Sequence, residues 1–166
     1  IGGSHGLFSI ELCKKNPLLS STILELPGAI DSASAIALEF NLADRVKYKS
    51  GNAITDDLGE NEYDLVMINN VVPYFTADEN RTLAKKVARA LKPGGIYAIG
   101  EFIRSHKPGE GGIVPATVGL YYAMTSSSGT WSSEEIQSWQ DEAGLKRVKA
   151  IGLMTLPGWK MSLAYK

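Results

Sequence analysis

Three short stretches carry residue types that could do chemistry. Gly2-Gly3-Ser4-His5-Gly6 precedes an apolar stripe of helical period, so it reads as a strand-to-helix loop. Glycines there let the backbone approach a ligand closely, and the helix that follows offers unpaired N–H groups to anionic or polar atoms. Glu25 follows Gly6 by nineteen residues and lies near the end of the next strand. An acid at that spacing is suited to accept hydrogen bonds from the two hydroxyls of a ribose. The glycines fall at 2, 3 and 6, which is not the G-x-G-x-x-G of a pyrophosphate loop, so the spacing favours an uncharged nucleoside with an amino-acid tail. Glu101 ends the strand Gly100-Glu101-Phe102. It suits either a general base whose pKa burial has raised or a hydrogen-bonded carboxylate that fixes the following loop.

The elements that must position these residues alternate. Ser21–Leu26 is a β-branched run closed by Pro27-Gly28, hence a strand followed by a turn. Val46–Ser50, Tyr63–Ile68 and Ile96–Phe102 are three more strands, the last two apolar on both faces, as in a parallel sheet covered on both sides. Helical stripes run through Leu7, Ile10 and Cys13, through Leu83, Val87 and Leu91, and through Ile136, Trp139 and Ala143. Thr76-Ala77-Asp78-Glu79 and Ser132-Ser133-Glu134-Glu135 both fit a capping box, and Lys92-Pro93-Gly94-Gly95 stops a helix. Leu145–Ala150 and Lys160–Tyr165 read as late strands with no helix between them, so they form an antiparallel pair at one edge. Ser105–Ser128 reads as an insertion across the strand ends with a short helix. The pattern predicts an α/β, Rossmann-like doubly wound, mostly parallel sheet with an antiparallel C-terminal strand pair, over a single domain of residues 1–166.

Composition narrows the partners. The 166 residues carry 17 Lys plus Arg against 18 Asp plus Glu and are 44% hydrophobic, an ordinary globular balance. A formal charge of −1 gives no general electrostatic reason to bind nucleic acid or anionic lipid. No apolar run reaches the roughly 20 residues of a spanning helix. The single Cys13 excludes an intrachain disulfide and a multi-cysteine zinc site, which points to a reducing cytosol. Two histidines without clustered ligands give no metal site. His5 reads as a backbone or solvent contact within its loop, and His106 as part of a solvated basic loop. Tyr121, Tyr122, Met124 and Trp131 suit the wall of an aromatic pocket or the packing of the insertion on the sheet.

Ile1-Gly-Gly-Ser-His-Gly6, Leu24-Glu25-Leu26-Pro27, Gly51-Asn52, Tyr63-Asp64-Leu65-Val66 and Leu91-Lys92-Pro93-Gly94-Gly95 together resemble the ordered motifs of class I S-adenosylmethionine-dependent methyltransferases. Trp131-Ser-Ser-Glu-Glu135 with Ala143-Gly144-Leu145 narrows the resemblance to the plant-type and bacterial O-methyltransferase family. The resemblance implies S-adenosylmethionine as cofactor and a small hydroxylated or aromatic molecule as methyl acceptor. It implies Gly2, Gly3 and Gly6 around the methionine part, Glu25 on the ribose hydroxyls, Asn52 on the adenine amino group and Ala53 along the ring, with Asn69 and Phe75 also on the cofactor. The catalytic pattern departs from the family. Its His-Asp-Trp stretch becomes Pro73-Tyr74-Phe75, so the usual base is absent; of the two acids that orient that His, Glu101 is kept and the other becomes Thr130.

A general base contributes typically 10²–10⁴-fold, about 3–5 kcal/mol, whereas in-line positioning supplies about 7–11 kcal/mol. Methyl transfer without the His therefore suits an acidic phenol or an amine, with Glu101 as the one candidate catalytic group. The rival expectation is a cofactor-binding module without turnover, a sensor or partner subunit. The family's first strand runs into the glycine loop and a helical dimerisation domain lies upstream, so the resemblance implies a longer homodimeric protein. It also implies that the first strand is missing here, leaving a gap in the sheet or another segment in its place.

Overall fold

The computed structural model describes residues 1–30, 33, 35, 40, 42, 44–107, 110–148 and 150–166, and the chain divides into two units, Ile1–Asp56 and Asp57–Lys166. In the first unit, α1 (Leu7–Lys15) starts from Gly6, which takes a left-handed φ of 75° that favours glycine. Ile10 and Cys13 of the expected stripe are fully buried against Ile23, Leu42 and Val46, with Leu19 and Tyr48 packed around them. Leu7, in the first turn beside the loop, is 41% exposed and leaves the stripe. Arg45 closes α1: its Nη1 donates to the carbonyls of Cys13, Asn16, Pro17 and Leu19, placing a cation on the negative end of the helix. β1 (Ser21–Glu25) and β2 (Val46–Ser50) pair in parallel with Glu25 opposite Ser50, so both strands end at the same side. Residues 27–30 are helical, not the turn expected of Pro27-Gly28. Proline suits the first turn of a helix because the N–H it lacks would have no partner there.

The second unit holds β3 (Tyr63–Asn69), a 3₁₀ turn (Val72–Tyr74), α2 (Ala77–Ala90), β4 (Leu91–Phe102), α3 (Ile113–Thr125), α4 (Ser133–Glu142), β5 (Lys146–Arg147), β6 (Ile151–Gly152) and β7 (Trp159–Tyr165). The sheet order is β3-β4-β7-β5, with β6 also on β7. β3 and β4 are parallel, and β7 is antiparallel to β4, β5 and β6. The parallel sheet with an antiparallel C-terminal end thus stands as expected. Of the late strand read as Leu145–Ala150, only Lys146–Arg147 forms among the described residues; a second two-residue strand, Ile151–Gly152, lies just beyond it, and all four residues are exposed.

Both capping boxes form, Thr76 with Glu79 and Ser132 with Glu135. They aim α2 and α4, which pack on each other while α2 also lies on β4 and α4 on β5 and β7. Lys92–Gly95 is a register jump: Tyr63 pairs Leu91 while Leu65 pairs Ile96, with Gly94 at φ 79°. One face of the central strands is core, through Val66, Ile68, Tyr97, Ile99 and Ala164. The other is open at its start, where the paired Leu65 and Ile96 are 39% and 38% exposed, so these strands are not covered equally on both faces as expected.

Candidate active site

In the first unit, the glycine loop and the acid after β1 form one structure. Gly2, Ser4 and Gly6 all take left-handed φ values, of 62°, 46° and 75°. The chain turns tightly here, Gly2 N–H donating to Leu24 O and Gly6 N–H to Gly3 O, both at 2.9 Å. A Cβ on Gly3 would stand 2.8 Å from Ile23 Cγ2, and one on Gly6 would stand 2.5 Å from the Tyr48 hydroxyl. Glu25 receives Ser4 N–H on Oε2 at 2.9 Å and Leu26 N–H on Oε1 at 2.8 Å. Each oxygen has a further lone pair, so the carboxylate is fixed in orientation and still able to accept two donors. His5 is exposed, and its carbonyl takes the Tyr48 hydroxyl at 3.3 Å.

Past β2, Gly51 N–H donates to Glu25 O at 3.0 Å, tying the two strand ends together. Asn52 Oδ1 accepts Ile54 N–H at 2.9 Å, and Asp56 Oδ2 accepts Asn52 N–H at 3.0 Å. This turn leaves Asn52 exposed and Ala53 buried. Sequence reasoning missed Tyr48 and Asp56. The Asn52–Asp56 spacing of a short polar turn was the available signal for the second.

In the second unit, Asn69 ends β3 opposite Gly100, and its Oδ1 is buried without a hydrogen-bond partner. The turn that follows is held from several sides. Asn70, at φ 54°, donates its N–H to Gly100 O and receives the Tyr122 hydroxyl on its carbonyl at 3.0 Å. Val71 N–H donates to Glu101 Oε1 at 2.8 Å. Asn80 Nδ2 donates to Val72 O and Phe75 O, and Trp131 Nε1 to Val72 O. Pro73 is buried within this turn, Tyr74 is exposed and Phe75 is half-buried at its end.

Glu101 is 1% exposed and its Oε2 makes no hydrogen bond. Burial pushes its pKa up to about 8, against the pull of the Val71, Val72 and Asn70 N–H groups on the charged form. Its observed contact holds the turn after β3, through Val71 N–H, and not the loop that follows Glu101 as expected. Burial also raises the Tyr122 and Cys13 pKa values.

Tyr122 packs edge-on against Tyr74 and Tyr121, both at 5.3 Å. Tyr121 and Met124 are 53% and 78% exposed. A cavity of about 350 Å³ lies between α3 and the segments after β4 and before α4, lined by Ile103, Arg104, Ala116, Gly119, Ala123 and Thr130. Arg104 is paired with Glu135, and His106 Nε2 stands 2.8 Å from Glu134 Oε2. Among the described residues there is no cluster of metal-ligating side chains and no helix long and apolar enough to cross a membrane.

Residues 1–146 match the family model for the O-methyltransferase domain. The chain belongs to this family. An L-tyrosine C(3)-methyltransferase of Streptomyces lavendulae is 31% identical over 138 residues, 81% of this chain and 37% of that protein. A 3-hydroxy-5-methyl-1-naphthoate 3-O-methyltransferase of Streptomyces sahachiroi is 25% identical over 155 residues, 91% and 43% of the two chains. A crystal structure of a proposed O-methyltransferase from Nostoc punctiforme superposes with a TM-score of 0.86 and 26% identity, covering 99% of this chain and 50% of that one. The O-methyltransferase-domain chain therefore spans half or less of the length of these relatives, and it has their α/β fold.

Proposed function

We propose that this O-methyltransferase-family chain binds S-adenosylmethionine and catalyses methyl transfer to a small hydroxylated aromatic molecule. The observation that carries the reading is Glu25, whose carboxylate is aimed by the Ser4 and Leu26 N–H groups and keeps a lone pair on each oxygen for the ribose hydroxyls. The residues present fit the group. Gly3 and Gly6 let the loop turn tightly against Ile23 and Tyr48, where a Cβ would clash, and this turn brings Ser4 N–H onto Glu25. We assign Gly2, Gly3 and Gly6 to the methionine part, Glu25 to the ribose, and Asn52 and Ala53 to the adenine.

When bound, S-adenosylmethionine supplies an electrophilic methyl group on a sulfonium that leaves readily. The chain's task is then to hold an acceptor in line, and the cavity over Thr130, Gly119 and Ala123 is our candidate for its seat, within the size range of small-molecule pockets. Glu101 is assigned to positioning. Its carboxyl keeps a proton at neutral pH and holds the turn where the family carries its His. No strong base is then supplied to the acceptor, which favours an acidic phenol, an amine or an electron-rich ring carbon. The named relatives, one C-methylating and one O-methylating, both work on hydroxylated aromatic acids, and this class extends to our acceptor.

A second reading is favoured by Pro73 and by the unpartnered Glu101 Oε2: a module that binds the cofactor without turnover. Incubation with S-adenosylmethionine and a panel of phenols, aromatic acids and aromatic amines, read by mass spectrometry, separates the two. A product 14 Da heavier than its acceptor, the mass of the added CH₂, supports transfer; binding without any such product supports the second reading. The buried Cys13 fits a cytosolic protein, and the homodimer that the family resemblance implies is read by light scattering.

A further inference from the structure

Gly119 is the seventh of the 13 residues of α3, in the helix interior, where glycine is less stable than alanine. Nothing local requires it. Its φ lies outside the left-handed region. A Cβ built on it would meet, among the described residues, only Thr130 Oγ1 at 3.6 Å, an ordinary van der Waals distance. The space that the missing Cβ leaves belongs to the cavity of about 350 Å³, which Gly119 and Thr130 both line. Thr130 is 7% exposed, and its hydroxyl makes no hydrogen bond among the described residues. A hydroxyl withdrawn from bulk water without a partner costs free energy, so a ligand that supplies the partner gains affinity. The charged side chains of the cavity are engaged elsewhere, Arg104 with Glu135 and Glu110 with Lys107. Its other hydroxyls, on Ser105 and Ser128, are only half-buried. Ala116 and Ala123, one turn of α3 to either side of Gly119, add methyl groups to the same wall. All of these residues lie within Asp57–Lys166, so the arrangement is internal to one unit.

We propose that Gly119 and Thr130 are specificity-determining residues that read a ring hydroxyl: Thr130 Oγ1 hydrogen-bonds a neutral phenolic hydroxyl, and Gly119 leaves the space in which that hydroxyl sits. The aromatic ring then lies against Ala116 and Ala123. The inference rests on the reading of this cavity as the acceptor's seat and deepens it, because it selects phenols over rings of the same shape without the hydroxyl. It also accounts for glycine at a helical position that alanine would fit.

The test is NMR titration of the full chain with para-cresol and with toluene, which differ by the hydroxyl alone, the site being marked by shifts of the Gly119 and Thr130 amides. Para-cresol should bind there more tightly than toluene. Thr130→Val, which exchanges the hydroxyl for a methyl group, should weaken para-cresol about 5-fold, the scale of one neutral hydrogen bond, and leave toluene unchanged. Thr130→Ser should keep the para-cresol affinity. Gly119→Ala should raise the equilibrium constant for folding about 4–5-fold, the helix preference of alanine over glycine, and yet weaken para-cresol at least as much as Thr130→Val does. A stabilised chain that binds less well is a result that no purely structural glycine would give. Full para-cresol affinity in Thr130→Val, or equal losses for both probes, would overturn the Thr130 assignment. Full affinity in Gly119→Ala would overturn that of Gly119. Binding of neither probe at these amides would remove the cavity as the acceptor's seat, and the proposal with it. Binding of both without preference for the hydroxyl would leave the seat standing and overturn the hydroxyl reading alone.

Discussion

Glu101→Gln separates two meanings of a buried carboxyl. Glu101 is 1% exposed, one of its oxygens takes the Val71 N–H, and burial lifts its pKa from 4.5 to about 8. A carboxyl whose folded pKa lies above its unfolded value binds its proton more tightly in the native state. It contributes stability that is fully present below about pH 4.5 and lost as pH rises through about 8. At 1.36 kcal/mol per pH unit, the cost is about 1 kcal/mol at pH 5, about 3 at pH 7 and about 5 at pH 9. Glutamine keeps an acceptor for Val71 N–H and has no proton to lose. Urea unfolding of both proteins from pH 5 to 9 should therefore give a difference that grows in favour of Gln by about 4 kcal/mol. Other titrating groups are common to both chains and cancel. Parallel stability curves would mean that Glu101 ionises as an ordinary carboxylate, and its assignment as a protonated positioning group would be wrong.

Three more substitutions probe the local geometry. Gly6→Ala should cost about 2–4 kcal/mol in chemical unfolding, because alanine pays for a φ of 75° and its Cβ meets the Tyr48 hydroxyl and Ile23. Thr76→Ala removes the cap from α2 and should lower stability by about 1 kcal/mol, measured the same way, with little effect on α4. Pro73→His restores the base type that the family carries at this turn. With an active chain it should raise transfer to a neutral phenol by on the order of 10²-fold, checked in the mass-spectrometric panel.

The fold was legible wherever a local signal was strong. Both capping boxes were visible as Ser/Thr followed three residues later by Glu, and Lys92-Pro93-Gly94-Gly95 marked the helix stop because proline and glycine act through the backbone itself. Pro27 misled because the same residue starts turns and helices, and only the following backbone decides. The two fragments Lys146–Arg147 and Ile151–Gly152 escaped because strand length there is set by pairing with β7, a tertiary effect. At the site, spacing alone linked Gly6 to Glu25, and the structure adds the hydrogen bond from Ser4 that makes them one unit. The partners of Val72 were invisible: Asn80 sits on a helix pattern and Trp131 in a loop, and no periodicity reports a side chain that reaches across to a buried carbonyl. Glu101 was found by position, but its burial under Val71 depends on how the turn closes over the strand end.

The central claim is that the Gly2–Gly6 loop and Glu25 hold a nucleoside, and calorimetric titration of the full chain with S-adenosylhomocysteine tests it most directly. We predict saturable one-to-one binding, weakened in Glu25→Ala by about 1–3 kcal/mol, the worth of hydrogen bonds to a charged group. No binding heat, or equal affinity in Glu25→Ala, would contradict the assignment.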